Sequence, residues 1–442
     1  MNKRGGRGFG QRLLAASLAL SLALGLSACS DLISAGPDEA EVANYGAYGS
    51  DLALELAEKY PYRSAGSDIE AGARDFLAAE FKALGFKTTT QKFTYSTADG
   101  QSVPSANLFV RIEGDGVERT DESGAVKKER RQIIIGAHYD VRITAAQGEE
   151  ARQAAAAAAA ASETTADGQA EQDSTASAFE TPTLADFDGI HANASGIGVL
   201  FTLARQLKGQ KLAHDIVLVA FGSGTADHAG AKAFVQGMGA ADLARTDAMY
   251  NIDGIYAGDE VYVHAGQNSV LPGDRKNYEL RRKLYEATDV FFENKLYTTN
   301  QYNLLTNQSS IRVPLGDTDE MAIYREWSLH RSDHTPFDEA GIPVVFFESY
   351  DYNQKSVDEM KESKNPTLAS TNGQIRDTAF DSTDFLSYLL SNTAAAASAS
   401  SAGAEKETID RLTLRINNTA FVILEAIKRS SAVTTAVTTT EE

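Results

Sequence analysis

Three remote segments bring together the residue types that bind a metal ion: Gly136-Ala137-His138-Tyr139-Asp140, His191-Ala192-Asn193-Ala194-Ser195-Gly196 and Ser332-Asp333-His334-Thr335-Pro336-Phe337. A fourth, Tyr250-Asn251-Ile252-Asp253, fits the same scheme. A catalytic zinc takes about three protein ligands from His and carboxylates and keeps one position open for water. His138, His191, Asp253 and His334 are the candidate ligands.

Such ligands must be carried on fixed elements. Gln132 to Ala137, Asp215 to Phe221 and Pro343 to Phe347 are short apolar runs, the pattern of strands buried on both faces. Helical segments alternate with them: Val199 to Leu207, Ala229 to Met238 and a long amphipathic stretch, Thr408 to Lys428. Ser67-Asp68-Ile69-Glu70 is a capping box opening an earlier helix that Gly85 stops. Phe86 to Tyr95 and Asn107 to Ile112 are strand candidates. The expected fold is α/β: a mixed, largely parallel sheet with helices on both faces, a three-layer sandwich. In such sheets a crevice forms at the carboxyl ends of the strands, where these ligand candidates fall.

The chain has 442 residues, 43% hydrophobic, enough for a large domain. That domain is expected over 45–430. Two low-complexity inserts, about 145–185 and 394–404, bury little and are expected as surface excursions, the alanine run within the first being locally helical. Residues 431–442 form a Thr/Glu tail expected to be disordered. Net charge is −20, which disfavours nucleic-acid binding because phosphate contacts need clustered Lys and Arg.

Residues 1–28 read as an export signal. Lys3, Arg4, Arg7 and Arg12 precede an apolar stretch, Leu13 to Leu26, too short to span a bilayer comfortably. Leu26-Ser27-Ala28-Cys29 resembles the lipobox of bacterial lipoproteins. That resemblance implies cleavage before Cys29, acylation of its thiol, a tether over 29–44 and anchorage to a membrane of the cell envelope. Removing four basic residues and no acidic ones takes the charge to about −24. Cys29 is the single cysteine, so no intrachain disulfide is available.

Taken in order, the motifs resemble family 28 of the metallopeptidases, the co-catalytic zinc aminopeptidases and related exopeptidases. The family pattern is a His-x-Asp after one strand, a Gly-Ala-Asp-Asp-Asn-Ala-Ser-Gly loop, a strand ending in Gly-Ala-Glu-Glu, an Asn-x-Asp and a Ser-Asp-His. The resemblance runs from Tyr45 to Lys428 outside the inserts and includes Arg63-Ser64-Ala65-Gly66. It implies that His138 binds one zinc with Asp140 behind it, and that Asp253 and His334 are ligands.

The sequence departs from the family at three places. The bridging Asp is His191, which offers one lone pair and cannot bridge two metals. The general base is Gly224, and the ligand glutamate is Thr225. One metal position keeps His138 and Asp253 and could gain His191; the other keeps His334 alone. A missing general base alone costs about 10²–10⁴-fold in rate. The expectation is a pseudopeptidase that binds a peptide or protein in the old cleft. The alternatives are a one-zinc hydrolase or transferase on His138, His191 and Asp253, with at most one zinc, and a metal-free envelope scaffold. Asp227 and His228 are candidate replacements for the lost pair. His214, His264 and His330 read as ordinary surface or strand histidines, and the aromatics between Tyr285 and Tyr302 as core or lid packing.

Overall fold

The computed structural model describes residues 45–120, 123–163, 180–267, 275–299, 302–306, 311–314, 321–324, 326, 329–354, 359–398 and 410–432. The signal segment, Cys29, the tether, most of the second low-complexity insert and all but the first two residues of the tail lie outside them.

An eight-stranded sheet forms the centre, in the order β1 (Thr89–Ser96), β2 (Ser102–Ile112), β6 (Asp215–Phe221), β5 (Gln132–His138), β7 (Thr246–Asp253), β12 (Val344–Tyr350), β8 (Glu260–His264) and β9 (Leu304–Leu305), while β3 (Val117–Thr120) with β4 (Val126–Glu129) and β10 (Ile311–Pro314) with β11 (Met321–Tyr324) form separate pairs. Its middle is β6, β5, β7 and β12, all parallel. These are the apolar runs of the sequence, joined by Thr246–Asp253. β5 and β6 are buried at every position, which is why they read as continuous rather than alternating hydrophobic segments. The flanks run antiparallel: β1 against β2, β2 against β6, and β8 against β12. The two-residue β9 closes the far edge, parallel to β8.

One face of the sheet packs Ile134, Val217, Val219, Phe221 and Met249 against Ala231 and Phe234 of helix Ala229–Gln236 and Phe337 of helix Thr335–Glu339. Ile133 and Ile135, of opposite parity, are also fully buried. Helix Ser195–Leu207 contacts β5, β6 and β7 and is itself packed by helices Gly46–Lys59 and Arg411–Ala432. Gly49 and Gly198 let two of these helices touch: a Cβ on Gly49 would stand 2.2 Å from the Gly198 carbonyl oxygen.

Helix Asp68–Ala83 starts as its capping box predicts, with Glu70 N–H donating to Ser67 Oγ at 3.0 Å. The Glu70 carboxylate, however, takes the Gly66 N–H and turns inward rather than returning to Ser67. The alanine run of the first insert is helical and exposed, as expected. Residues Ala145–Glu163 are one helix, and its start is fixed: Gly148 lies against the Tyr62 ring, where a Cβ would come within 2.4 Å. Thr183 and Asp186 form a second capping box. The aromatics of the 285–302 region divide: Phe291 and Tyr302 are buried, Tyr302 bonding Thr419 of the last helix at 2.9 Å, whereas Phe292 and Tyr297 are exposed.

Candidate functional site

β5, β6 and β7 end side by side, so His138, the Gly222-Ser223-Gly224-Thr225 loop and Asp253 meet at one edge. Buried Arg63 clamps the approach from below. Its guanidinium donates to the carbonyls of Tyr60, Tyr139, Asp188 and Gly189, joining the end of β5 to the segment before His191. Asn193 and Ser195 stitch the His191 loop to the end of β7. Asn193 accepts from the Gly254 N–H at 2.8 Å and donates to the Ile252 carbonyl at 2.8 Å. Ser195 Oγ donates to the His191 carbonyl and accepts from the Ile255 N–H.

His138 and Asp253 come together as the sequence suggests. The imidazole donates through Nδ1 to the Asp140 carbonyl at 3.0 Å, and Nε2 lies 3.4 Å from Asp253 Oδ1. Burial alone would lower the His138 pKa, but Asp253 and Asp140 outweigh it and raise it well above the ordinary range. Asp253 is held by two further residues. Ser332 Oγ donates to its Oδ2 at 2.7 Å and in turn accepts from Asn251 Nδ2 at 2.9 Å. Thus Asn251, two residues before Asp253, and Ser332, two before His334, act as one hydrogen-bonded support.

The remaining partner of Asp253 is Arg376, which the sequence reading missed. Its Nη1 donates to Asp253 Oδ1 at 2.7 Å and its Nη2 to the Asp253 carbonyl at 3.3 Å. Its Nε lies 3.4 Å from Glu362 Oε1, whose other oxygen accepts the Arg376 backbone N–H. Burial opposes ionisation of Asp253, yet Arg376 and then His138 hold it well below the usual carboxylate range. Arg376 itself is pushed up by Asp253 and Glu362 against its burial.

His191 takes a different place from the one expected. It is fully buried, with Nε2 3.2 Å from Glu362 Oε1 and Nδ1 accepting the Ala257 N–H at 3.2 Å. A nitrogen that accepts an N–H carries no proton, so Nε2 is the donor and no lone pair is left for a metal. Glu362 is drawn down to about 2 against its burial, by His191 first and then Arg376. Asp381 accepts the backbone N–H groups of His191 and Ala192 and so fixes this loop.

At the positions of the missing glutamates, the backbone N–H groups of Gly224 and Thr225 and the Thr225 hydroxyl all donate to Asp140, at 2.7, 3.0 and 2.6 Å. A Cβ on Gly224 would lie 2.4 Å from the His138 Cβ, so a side chain is excluded while the loop stays on Asp140. Ser223, Asp227 and His228 all have positive φ, which concentrates backbone strain in this stretch. Glu70 secures the loop from the other side through the Ser223 N–H and hydroxyl, and burial followed by the charge of Asp140 pushes it up to about 7.

His334 is also buried. It stacks on Phe346 at 4.3 Å, its Nδ1 finds no partner, and burial lowers it to about 3. Both oxygens of the adjacent, fully buried Asp333 are likewise unpartnered, and burial followed by Asp253 and Asp140 raises it to about 7. Asp227 pairs with Lys232 at 2.5 Å, and burial lowers His228 to about 4. His214 pairs with Asp247 at 2.8 Å. His330 and His264 both face Glu348 on β12, at 2.6 and 3.4 Å.

Zinc can be tested against these donors. His138 and Asp253 have the separation and backing of a ligand pair, but among the described residues no group of three His, Cys, Asp or Glu converges on a point. The expected third ligand, His191, is committed to Glu362, and the Arg376 guanidinium already supplies positive charge at Asp253. The set as arranged does not fit a zinc ion. The cleft above it encloses about 370 Å³ and is lined by His138, Asp253 and Arg376 together with Arg142, Arg331 and Asp377.

The fold is that of the zinc exopeptidases. Peptidase family M28 matches residues 123–379, more than half of the chain, and the protein belongs to that family. The alkaline phosphatase isozyme conversion protein of Escherichia coli (strain K12) is 23% identical over 357 residues, covering 79% of this chain and 85% of that one. Among solved structures, BSAP, a zinc aminopeptidase of Bacillus subtilis, superposes with a TM-score of 0.52 at 12% identity, over 88% of this chain and 96% of its own. A glutaminyl cyclase from an Acidobacteriales bacterium superposes with a TM-score of 0.51 at 16% identity, over 90% and 98%. At these identities the structural likeness establishes the fold.

Proposed function

We propose that this chain is a pseudopeptidase: an M28-fold protein that binds a peptide or protein segment in the old cleft without the family's two-zinc hydrolysis. The observation that carries this reading is Arg376, whose guanidinium joins Asp253 to Glu362 where a metal's charge would serve. The substitutions at Gly224 and Thr225 support it. Neither can take a proton from water as a general base, and both instead cap Asp140. His191, held by Glu362, supplies neither a bridging ligand nor a terminal one.

In this reading the protein is exported, cut before Cys29 and anchored by a lipid on that thiol to the cell envelope. The cleft faces a partner there. Two measurements test the proposal. Metal analysis of the purified protein should give well under one zinc per chain. Turnover on amino-acid amides should stay at background, against the 1–10³ s⁻¹ common to enzymes. Two bound zincs with turnover in that range would refute it. For the anchor, Cys29→Ser should release the protein from the membrane fraction or block its processing; unchanged processing and fractionation would count against lipidation.

A further inference from the structure

Hydrogen-bonding capacity at the cleft wall is unbalanced. Each carboxylate that lines the cavity already has a cationic partner: Asp253 has Arg376, with Ser332 on its other oxygen, Asp377 has Arg142 Nε at 3.0 Å and Asp227 has Lys232. Two of the arginines keep donors to spare. Arg142 spends only Nε, which leaves both terminal nitrogens of its fork turned to solvent. Arg331 spends only Nη2, on Glu339 at 3.2 Å, which leaves Nε and Nη1. Both arginines line the same cavity, with Arg376 also in its wall, in a chain whose net charge is −20.

We infer that the cleft recognises a carboxylate of its ligand, an acidic side chain or the carboxyl end of a peptide, through the free guanidinium nitrogens of Arg142 and Arg331. This rests on the pseudopeptidase reading only in that the ligand is bound and released uncut. Guanidinium and carboxylate are matched in plane and spacing, so a single group can take two parallel hydrogen bonds from one arginine. A carboxylate suits the wall better than a phosphoryl group. Asp227, Asp253 and Asp377 line it too, and a dianion would meet more repulsion from them than a single negative charge. The volume, about 370 Å³, lies at the small end of ligand clefts, enough for a short terminal segment.

Calorimetric titration of the full chain in detergent tests this with three probes: acetyl-Ala-Ala-Ala, whose single charge is its terminal carboxylate; acetyl-Lys-Lys-Lys-amide, of the same length; and inorganic phosphate. The alanine tripeptide should bind at least tenfold more tightly than the other two, and the preference should shrink as salt rises. Arg142→Gln with Arg331→Gln should weaken it tenfold or more at unchanged melting temperature, since both side chains are more than half exposed. Equal binding of the lysine peptide, tighter binding of phosphate, or an unaltered affinity in the double variant would overturn the inference. Zinc content and peptide cleavage are read on the same samples. Cleavage with bound zinc would refute the pseudopeptidase reading and leave the arginine assignment to the affinity data. No zinc, no cleavage and no preference for the alanine tripeptide would leave that reading standing and refute this one.

Discussion

Two neighbouring parts of the cleft have met opposite fates. Around His191, Gly224 and Thr225, where this chain departs from the family pattern, and at Asp140 and Asp253, which it keeps beside them, every charged group has a partner: Arg376 on Asp253 and Glu362, Glu362 on His191, Thr225 and Gly224 on Asp140. At Asp333 and His334, where the family residues are retained, buried polar atoms stand alone. Unpaired buried charge is costly, so a site stripped of some ligands is stable only if new residues satisfy those that remain. The altered half has been rewired into a closed ion-pair network. The retained half still carries the polar cost of its former role.

The comparison is broken most sharply at Arg376. Arg376→Ala leaves Asp253 and Glu362 buried without their shared cation and should destabilise the protein by about 3–5 kcal/mol. Arg376→Lys should recover part of that, because it restores charge without the fork. Denaturant unfolding measures both. A loss under about 1 kcal/mol for the alanine variant would mean that solvent, not the guanidinium, compensates the two carboxylates.

Asp333 tests the other half, with the opposite sign. Its carboxyl is raised to about 7 by burial and by Asp253 and Asp140. Between about pH 4 and pH 7 the folded state holds a proton that the unfolded state has released, so stability falls as pH rises through that window. Asn carries no such charge. Asp333→Asn should therefore match the parent near pH 4 and exceed it at pH 8 by on the order of 1–3 kcal/mol. A variant that is less stable than the parent at pH 8 would show that the carboxylate has an attractive partner.

Thr225 gives a smaller effect. Thr225→Ala removes the hydroxyl bond to Asp140 but keeps the two backbone donors, so a loss of about 1 kcal/mol is expected in the same unfolding assay. A loss above about 3 kcal/mol would mean that the whole loop leaves Asp140.

The two halves were unequally legible in the sequence. The central strands could be read because β5, β6 and β12 are buried on both sides and show as unbroken apolar runs. His138, Asp140 and Asp253 could be read because each sits at a strand end in a recognisable order. Arg376 could not. It lies 123 residues beyond Asp253, in a segment with no helical or strand period, and only folding brings it there. Glu362 and Asp381 were hidden for the same reason. His191 was read as a ligand because imidazole suits zinc; its burial against the Ala257 N–H and Glu362 decides otherwise. Glu70 was read as a helix cap, which it is only in part, since its carboxylate also holds the Ser223 loop.

The smallest expected effect is the response of the unaltered protein to metal. Zinc stabilises a fold only through affinity for the folded state, by about 2.7 kcal/mol when its concentration is a hundred times the dissociation constant. Here two potential ligands, His138 and Asp253, converge, and the third expected one faces Glu362. To seat an ion on Asp253 the protein must first displace Arg376 and leave Glu362 short of its cation. That displacement opposes binding by an amount comparable to the Arg376→Ala penalty. Chelator and micromolar zinc should therefore leave the melting temperature unchanged to within about 1 °C, far below the shift a bound structural ion would give. Arg376→Ala alters the balance, because it frees Asp253, which lies 3.4 Å from His138. In that variant zinc should raise the melting temperature, and His138→Ala added to it should abolish the gain. Stabilisation of the parent protein by zinc, to the same extent as the variant, would show that the guanidinium does not compete with a metal and that the two halves of the cleft differ less than their hydrogen bonds indicate.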